Sequence, residues 1–162
     1  MDNVAAFRQI VVDIINDGRI ELCERLMAPD FKIHRFGLAA TSRLLGSARP
    51  TAAGLGGGHL DGFKNGLAML RAAFPDWSHT IKWVVAQDDW VAGVWTLNCT
   101  HLGVFMGVPP TGQKISMDET GFMRFRDGKM VEGWFMGDEL ALVQQLGAKV
   151  SIPSAAVEMS PR

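Results

Sequence analysis

The dipeptide Asp127-Gly128 is the feature that most constrains the fold of this chain. Apolar-rich runs flank it at 114–126 and 129–136, and Asp-Gly supplies the positive φ angles of a two-residue β-hairpin turn. A helical pattern then runs from Asp138 and ends at Gly147. Glycine is common just beyond the C-terminus of a helix. The last third of the chain therefore predicts a strand, a tight turn, a second strand and a helix.

Asp138 lies at the predicted junction between strand and helix, next to apolar residues on both sides. A partly desolvated carboxylate at this point would suit a general acid or base near neutral pH. Asp138 is equally well explained as the N-cap of the final helix, where its carboxylate accepts backbone hydrogen bonds. The spacing leaves both interpretations open.

Length and composition favour one domain. The chain has 162 residues, of which 48% are hydrophobic, so we expect a single domain over 1–150 and a flexible tail over 151–162. A net charge of −1 without a basic block argues against nucleic acid as a partner. We find no signal-peptide pattern and no stretch long enough to span a membrane, and therefore expect a cytoplasmic protein without a membrane partner.

The cysteines and aromatic residues limit the chemistry. Cys23 and Cys99 are far apart and lack the spacing of a metal site, so we expect two reduced, buried thiols and no metal. There are no tyrosines, but there are five tryptophans, nine phenylalanines and nine methionines. A pocket in this protein must therefore be apolar and must lack a phenolic hydroxyl that could stabilise an oxyanion.

The fold class follows from the order of the periodic segments. Three helices are predicted first, at about 3–17, 19–27 and 61–74, with a short strand at 31–34 and a glycine-rich loop within 35–60. An antiparallel meander of four long strands follows, at about 77–87, 90–100, 114–126 and 129–136. With helices on its convex side, a strongly curved sheet of this kind forms an α+β cone whose concave face is lined by side chains or a ligand.

Two segments carry a family resemblance. The first is His-x-Gly-x-Phe-x-Gly-x-Pro-Pro-Thr-Gly at 101–112, and the second is Arg-Asp-Gly-Lys at 126–129 followed by Trp134, Asp138 and Gln-Leu-Gly at 145–147. Over about residues 4–148 the chain resembles the SnoaL-like polyketide cyclases, also called ester cyclases. The resemblance implies the cone-shaped fold of nuclear transport factor two and ketosteroid isomerase, a deep apolar pocket, and a homodimer or homotetramer.

The resemblance also implies an activity. Asp138 would be the general acid or base for an intramolecular aldol closure of a small hydrophobic polycarbonyl molecule, without a metal or organic cofactor. His34 and His101 match family positions and would polarise a carbonyl or hydrogen-bond Asp138, although a purely structural histidine fits each position as well. Phe122 and Trp134 are candidate pocket walls, together with Trp95, Phe105 and Met106, although such residues equally suit a core or a dimer interface.

Other polar residues are less indicative. We expect structural roles for His59 and His79, and Asp118 and Glu119 face opposite sides of a strand, so at most one of them enters the pocket.

The sequence departs from the family pattern at three positions. Gly121 and Gly133 stand where many relatives carry an acid and a histidine, and Val104 replaces a frequent Glu. The departures leave a second hypothesis open, a non-catalytic member that binds a hydrophobic ligand or mainly dimerises. The absence of tyrosine argues against steroid isomerase or epoxide hydrolase chemistry on the same fold.

Overall fold

The computed structural model describes residues 2–35 and 59–149. The glycine run at 54–58 and the expected tail at 151–162 lie outside the described residues. No helix in the described part of the chain is both long and apolar enough to cross a membrane.

The elements follow the predicted order. The helical elements are α1 (Asn3–Gln9), a π-helical continuation (Ile10–Asn16), a 3-10 turn (Ile20–Leu22), α2 (Cys23–Leu26), α3 (His59–Ala73) and α4 (Glu139–Gln145). The strands are β1 (Met27–Arg35), β2 (Ser78–Gln87), β3 (Trp90–Thr100), β4 (Lys114–Arg126) and β5 (Lys129–Gly137). The α+β class is confirmed.

The N-terminal helix changes its winding along its length. Asp2 caps it by accepting a hydrogen bond from the backbone N–H of Val4, at 3.4 Å. From Ile10 to Asn16 the helix is π-helical, a form that often occurs at functional sites. Gly18, with a φ of 72°, ends it, as the sequence predicts.

The sheet has the order β1-β5-β4-β3-β2. Its antiparallel meander is confirmed, and Asp127 and Gly128 adopt φ angles of 51° and 74° at the hairpin turn, as a type I′ turn requires. The pairing of β1 was not predicted: this strand joins the sheet edge parallel to β5, with Ile33 beside Gly133. The N-terminal helical elements therefore lead directly into β1, the edge strand next to β5.

Alternation along β4 defines two faces of the sheet. The inner face carries the buried residues of this strand, which are Ile115, Met117, Glu119, Gly121, Met123 and Phe125. Phe7 and Ile10 of the N-terminal helix belong to the same hydrophobic cluster as Trp95 and Met123 of the inner face. The helices therefore pack on the inner face.

Both thiols belong to the core. Cys23 and Cys99 are free and buried, as expected. Burial raises the pKa of the Cys23 thiol to about 11 and that of Cys99 to about 12, so both stay protonated at neutral pH.

The outer face of the sheet is unusually apolar. A row in register across all five strands joins Val85, Ala92, Phe122, Trp134 and His34. Trp83 and Met136 belong to the neighbouring row, and each is about half exposed. The charged groups on this face pair with one another, namely Lys82 with Asp118, Arg124 with Asp89 and His34 with Glu132.

We propose that a second copy of the chain covers this outer face. The ion pairs Lys82–Asp118 and Arg124–Asp89 neutralise their own charges on this face, and a two-fold axis places the same apolar row of each copy against the other. Phe122→Glu should therefore convert a dimer into a monomer in sedimentation at micromolar concentration, because the buried charge lacks a partner. Val104→Glu, on an exposed loop residue, is the matched control and should leave the dimer intact. A wild-type monomer would contradict the proposal.

Candidate functional site

Asp138 caps the last helix. Its Oδ1 accepts a hydrogen bond from the backbone N–H of Ala141 at 3.0 Å, and its own N–H donates to the carbonyl of Asp118 at 3.1 Å. The side chain is exposed, so the partial burial that we expected for it is corrected. The capping interpretation is confirmed, whereas the catalytic role of Asp138 stays a prediction.

The cap leads to a stability prediction. Asp138→Asn should leave the free energy of unfolding nearly unchanged, because Asn caps helices about as well as Asp, whereas Asp138→Ala should lower it by about 1 kcal/mol. Urea titration followed by circular dichroism measures both. A loss in Asp138→Asn as large as in Asp138→Ala would show that the carboxylate does more than accept the cap bond.

His34 lies on the outer face at the end of β1. Its Nε2 is 2.9 Å from Oε1 of Glu132, and its ring stacks on Trp134 with centroids 4.5 Å apart. Phe122 is opposite Trp134 in the register and is also on the outer face. These three predicted site residues therefore share the surface that we assign to a second copy.

His101 is fully buried at the end of β3. The backbone N–H of Thr111 donates to its Nδ1 at 3.3 Å, so the proton of a neutral ring belongs on Nε2. That Nε2 has no hydrogen-bond partner among the described residues. Phe74 packs between His101 and Phe105, at centroid distances of 5.3 Å and 4.9 Å.

The predicted site residues are thus distributed over different parts of the fold. Trp95 lies on the inner face, whereas His34, Phe122 and Trp134 lie on the outer face. Met106 is half-buried in the loop after β3 and adopts a φ of 50°. The structure shows no contact between Asp138 and either His34 or His101 among the described residues.

A buried polar cluster occupies the inner face instead. Glu119 is only 6% exposed, and its Oε2 accepts a hydrogen bond from Nε1 of Trp95 at 3.0 Å. Nε2 of His79 lies 3.2 Å from the same oxygen without meeting the geometry of a hydrogen bond. Nη1 of Arg35 lies 3.7 Å from Oε1. The side chains of Glu119, His79 and Trp95 are buried together, and the partly exposed Arg35 reaches the carboxylate from the edge strand β1.

The electrostatics of this cluster keep the carboxylate ionised. Burial alone raises the pKa of Glu119, but the contact with His79, the charge of Arg35 and the donor Trp95 outweigh burial and lower the pKa to about 2. Glu119 is therefore a fixed negative charge at neutral pH.

The backbone of His79 is held from the N-terminal helix. Oδ1 of Asn16, the last residue of the π-helical segment, accepts from the N–H of His79 at 2.7 Å, and Nδ2 of Asn16 donates to its carbonyl at 2.8 Å. Arg71 of α3 in turn donates to the carbonyl of Ile15 at 2.6 Å. The end of the π-helix therefore positions the imidazole.

Sequence reasoning found only part of this cluster. The period of two along β4 correctly separates Asp118 from Glu119, and Asp118 lies exposed on the outer face beside Lys82. The missing signal was His79 at an inner position of β2, paired with Leu97 in the register. A polar residue at a core position of a predicted strand is the pattern that would have identified it.

The two unusual glycines leave space for an aromatic ring. A Cβ at Gly121 would lie 2.6 Å from Cη2 of Trp95 and 2.8 Å from Cδ1 of Phe135, and a Cβ at Gly133 would lie 2.8 Å from Cε2 of Phe135. Phe135 therefore fills the places where the resemblance leads us to expect an acid and a histidine. Glu119, two residues before Gly121 on the same face, is the carboxylate that remains there.

Depressions on the surface of the described residues include one of about 350 Å³, which is open and has Asp76, Asn98 and Lys114 among its lining residues. Another, of about 20 Å³, is bordered by Phe122, Trp134 and Met136. We expected an enclosed pocket with Asp138 at its inner end, but Asp138 lines neither of these depressions. In the same part of the chain, no group of three or more His, Cys, Asp or Glu residues is placed to hold a metal ion.

The lowered pKa of Glu119 leads to a prediction about acid stability. A carboxylate with a lowered pKa in the folded state stabilises the fold above its ordinary value of 4.5, and that contribution is lost as the pH falls toward about 2. Glu119→Gln should therefore be less stable than wild type at pH 7, and the difference should shrink between pH 4.5 and 2.

Thermal unfolding at a series of pH values measures this difference. Asp118→Asn is the matched control on the opposite face. Asp118 lies outside the apolar row that we assign to a second copy, so solvent screens its ion pair with Lys82 and little stability should be lost. A Glu119→Gln profile parallel to wild type across the acid range would contradict the assignment of a buried, ionised carboxylate.

Comparisons with known proteins agree with the fold. The sequence pattern of the SnoaL-like polyketide cyclases matches residues 57–146. No curated protein sequence matches the chain. Among solved structures, IdmH of Streptomyces antibioticus, described as a candidate polyketide cyclase, is 28% identical with a TM-score of 0.71 and covers 91% of this chain and 100% of its own.

Two further structures show the same similarity. A candidate polyketide cyclase of Acidithiobacillus ferrooxidans is 26% identical with a TM-score of 0.71, covering 90% of this chain and 94% of its own. A SnoaL-like protein of Jannaschia is 20% identical with a TM-score of 0.73, covering 91% of this chain and 93% of its own, and shares the fold. Because the family pattern matches more than half of its residues, the chain belongs to the SnoaL-like polyketide cyclase family.

Proposed function

We propose that this protein is a cyclase or isomerase that acts on a small hydrophobic polycarbonyl molecule by proton transfer, without a cofactor. The observation that carries the proposal is the inner face of the sheet, where one ionised carboxylate and one imidazole lie within an apolar aromatic region. Membership of the SnoaL-like polyketide cyclases supports the same class of reaction.

The chemistry suits such an environment. A C–H bond between two carbonyl groups is acidic enough for a side-chain base, because the enolate charge spreads over both oxygens. The enolate carbon then attacks another carbonyl of the same molecule, and the proton is returned to the new alkoxide. Apolar walls hold the chain of carbonyls in a folded conformation, which removes much of the entropic cost of ring closure.

By resemblance, Asp138 is the acid or base of this reaction, and His34 and His101 assist it. If so, Asp138→Asn should abolish turnover while leaving ligand affinity within about tenfold, because apolar contacts hold most of the substrate. The assay follows a synthetic aromatic β-keto methyl ester, whose ring-closed aldol product has the same mass and a different absorbance. An Asn variant with wild-type turnover would remove Asp138 from the mechanism.

A second function is favoured by one specific observation. The protein's own rings occupy the space around Gly121 and Gly133, which suits a member of the family that binds a hydrophobic ligand and does not turn it over. The same assay separates the two functions, since a binding protein would quench its tryptophan fluorescence with the ester but would not convert it. Conversion by wild type, absent from heat-inactivated protein, supports the cyclase.

A further inference from the structure

The pair formed by His79 and Glu119 is a second candidate for proton transfer, buried inside the fold. Both residues are less than one-tenth exposed, and their Nε2 and Oε2 atoms are 3.2 Å apart. Angles in such pairs are often poor in the absence of substrate and improve when one binds. The charged or titratable side chains described as facing this pair are those of the two residues themselves and Arg35, which lies on the far oxygen of Glu119.

The other ring nitrogen of His79 is unused. With Nε2 turned toward Glu119, Nδ1 is buried and has no hydrogen-bond partner among the described residues. A carboxylate next to one nitrogen of a neutral imidazole holds the proton on that nitrogen and leaves a lone pair on the other. Nδ1 is therefore the basic atom of the pair.

A second buried donor lies beside it. The ring of Trp77 meets the ring of His79 edge to face, with centroids 5.6 Å apart, and Nε1 of Trp77 also has no partner in the described part of the chain. Buried polar atoms without partners are rare in folded proteins, and each needs an explanation. A donor and an acceptor left free in the same apolar corner suit a molecule that offers a carbonyl oxygen and an acidic C–H bond.

We propose that His79 is a catalytic base of this protein, that Glu119 positions it, and that Trp77 binds the carbonyl oxygen of an apolar ketone. Nδ1 of His79 takes the proton from the carbon next to the carbonyl, and the electron pair of that C–H bond moves into the carbonyl. The enolate oxygen accepts a hydrogen bond from Nε1 of Trp77, and the imidazolium, whose proton exchanges with solvent, then returns a proton to the carbon. The assignment rests on the proposed proton-transfer function and adds to Asp138 a second base, inside the fold.

The test uses 2-tetralone, a small bicyclic ketone, because aromatic rings surround His79 and Trp77 and suit an apolar ligand of this size. In D₂O, wild-type protein should speed the exchange of its α-hydrogens for deuterium, followed by proton NMR. His79→Gln should lower this rate by about 100-fold or more, as general bases typically contribute that much. Glu119→Gln should lower it less, because Gln still contacts the imidazole but holds its proton less firmly.

Two matched control variants test whether the loss of exchange is specific to His79 and Glu119. His59→Gln removes an exposed histidine and Asp118→Asn removes the carboxylate next to Glu119 on the opposite face, and both should exchange at the wild-type rate. In His79→Ala, added imidazole should restore part of the exchange, a recovery that a purely structural histidine would not show. Exchange at the wild-type rate in a folded His79→Gln variant would overturn the assignment.

A measurement on the unmodified protein covers the case in which the variants fail to fold. In ¹⁵N-histidine-labelled wild type, the neutral ring of His79 should carry its proton on Nε2, and 2-tetralone should shift the Nδ1 resonance. A proton on Nδ1, or no shift at a saturating ketone concentration, would overturn the proposal. If wild-type protein exchanges the hydrogens of the ketone but does not cyclise the ester, the result counts against the proposed function and leaves the assignment of His79 intact.

Discussion

The buried carboxylate of Glu119 is the interaction on which the interior of this protein depends. Burying a charge without partners is very costly, and removing one partner from a buried pair typically costs about 3–5 kcal/mol. Here the partners come from β1, β2 and β3, so the carboxylate ties three strands to β4. The parallel pairing of β1 with β5 at the sheet edge brings Arg35 to the far oxygen of Glu119.

Small residues make room for this arrangement. Gly93 and Gly121 are adjacent in the register of β3 and β4, and a Cβ on Gly93 would lie 2.6 Å from Cζ of Phe7. Three rings therefore pack closely against the sheet at these glycines, those of Phe7, Trp95 and Phe135. The indole of Trp95 is thereby placed with its N–H toward Glu119. Gly121, which stands where many relatives carry an acid, thus helps the apolar walls to close around a single charge.

Features of the fold that neighbouring residues determine could be predicted from the sequence, whereas features that depend on tertiary contacts could not. The strands at 90–100 and 114–126 were predicted with their observed bounds, because each is a long apolar-rich run and the turns at Asp88-Asp89 and Asp127-Gly128 mark one end of each. The parallel partner of β1 could not be predicted, because nothing local in 27–35 specifies which edge it joins. The π-helical winding at 10–16 likewise depends on tertiary contacts, such as those of Asn16 with the backbone of His79.

The candidate site shows the same division. The period of two placed Glu119 opposite Asp118 but could not say which face is buried, because that depends on where the helices pack. Asp138 was predicted as a cap or a catalyst, and only the cap could be checked from its contacts. His79 was expected to be structural because a lone histidine in a strand usually is. Its unpartnered nitrogen becomes visible only when β2 and β4 are brought together through β3.

Asp138 and His79 differ in what each must give up to act as a base. Oδ1 of Asp138 accepts the N–H of Ala141, so a proton taken up on that oxygen weakens the hydrogen bond that begins the last helix. Nδ1 of His79 has no competing hydrogen bond among the described residues, and the positive charge that forms on its ring lies beside an ionised carboxylate. Water screens the charge of the exposed Asp138, whereas the apolar surroundings of the inner pair strengthen its electrostatic interactions. Proton transfer inside the sheet is therefore less costly for the fold than proton transfer at its edge.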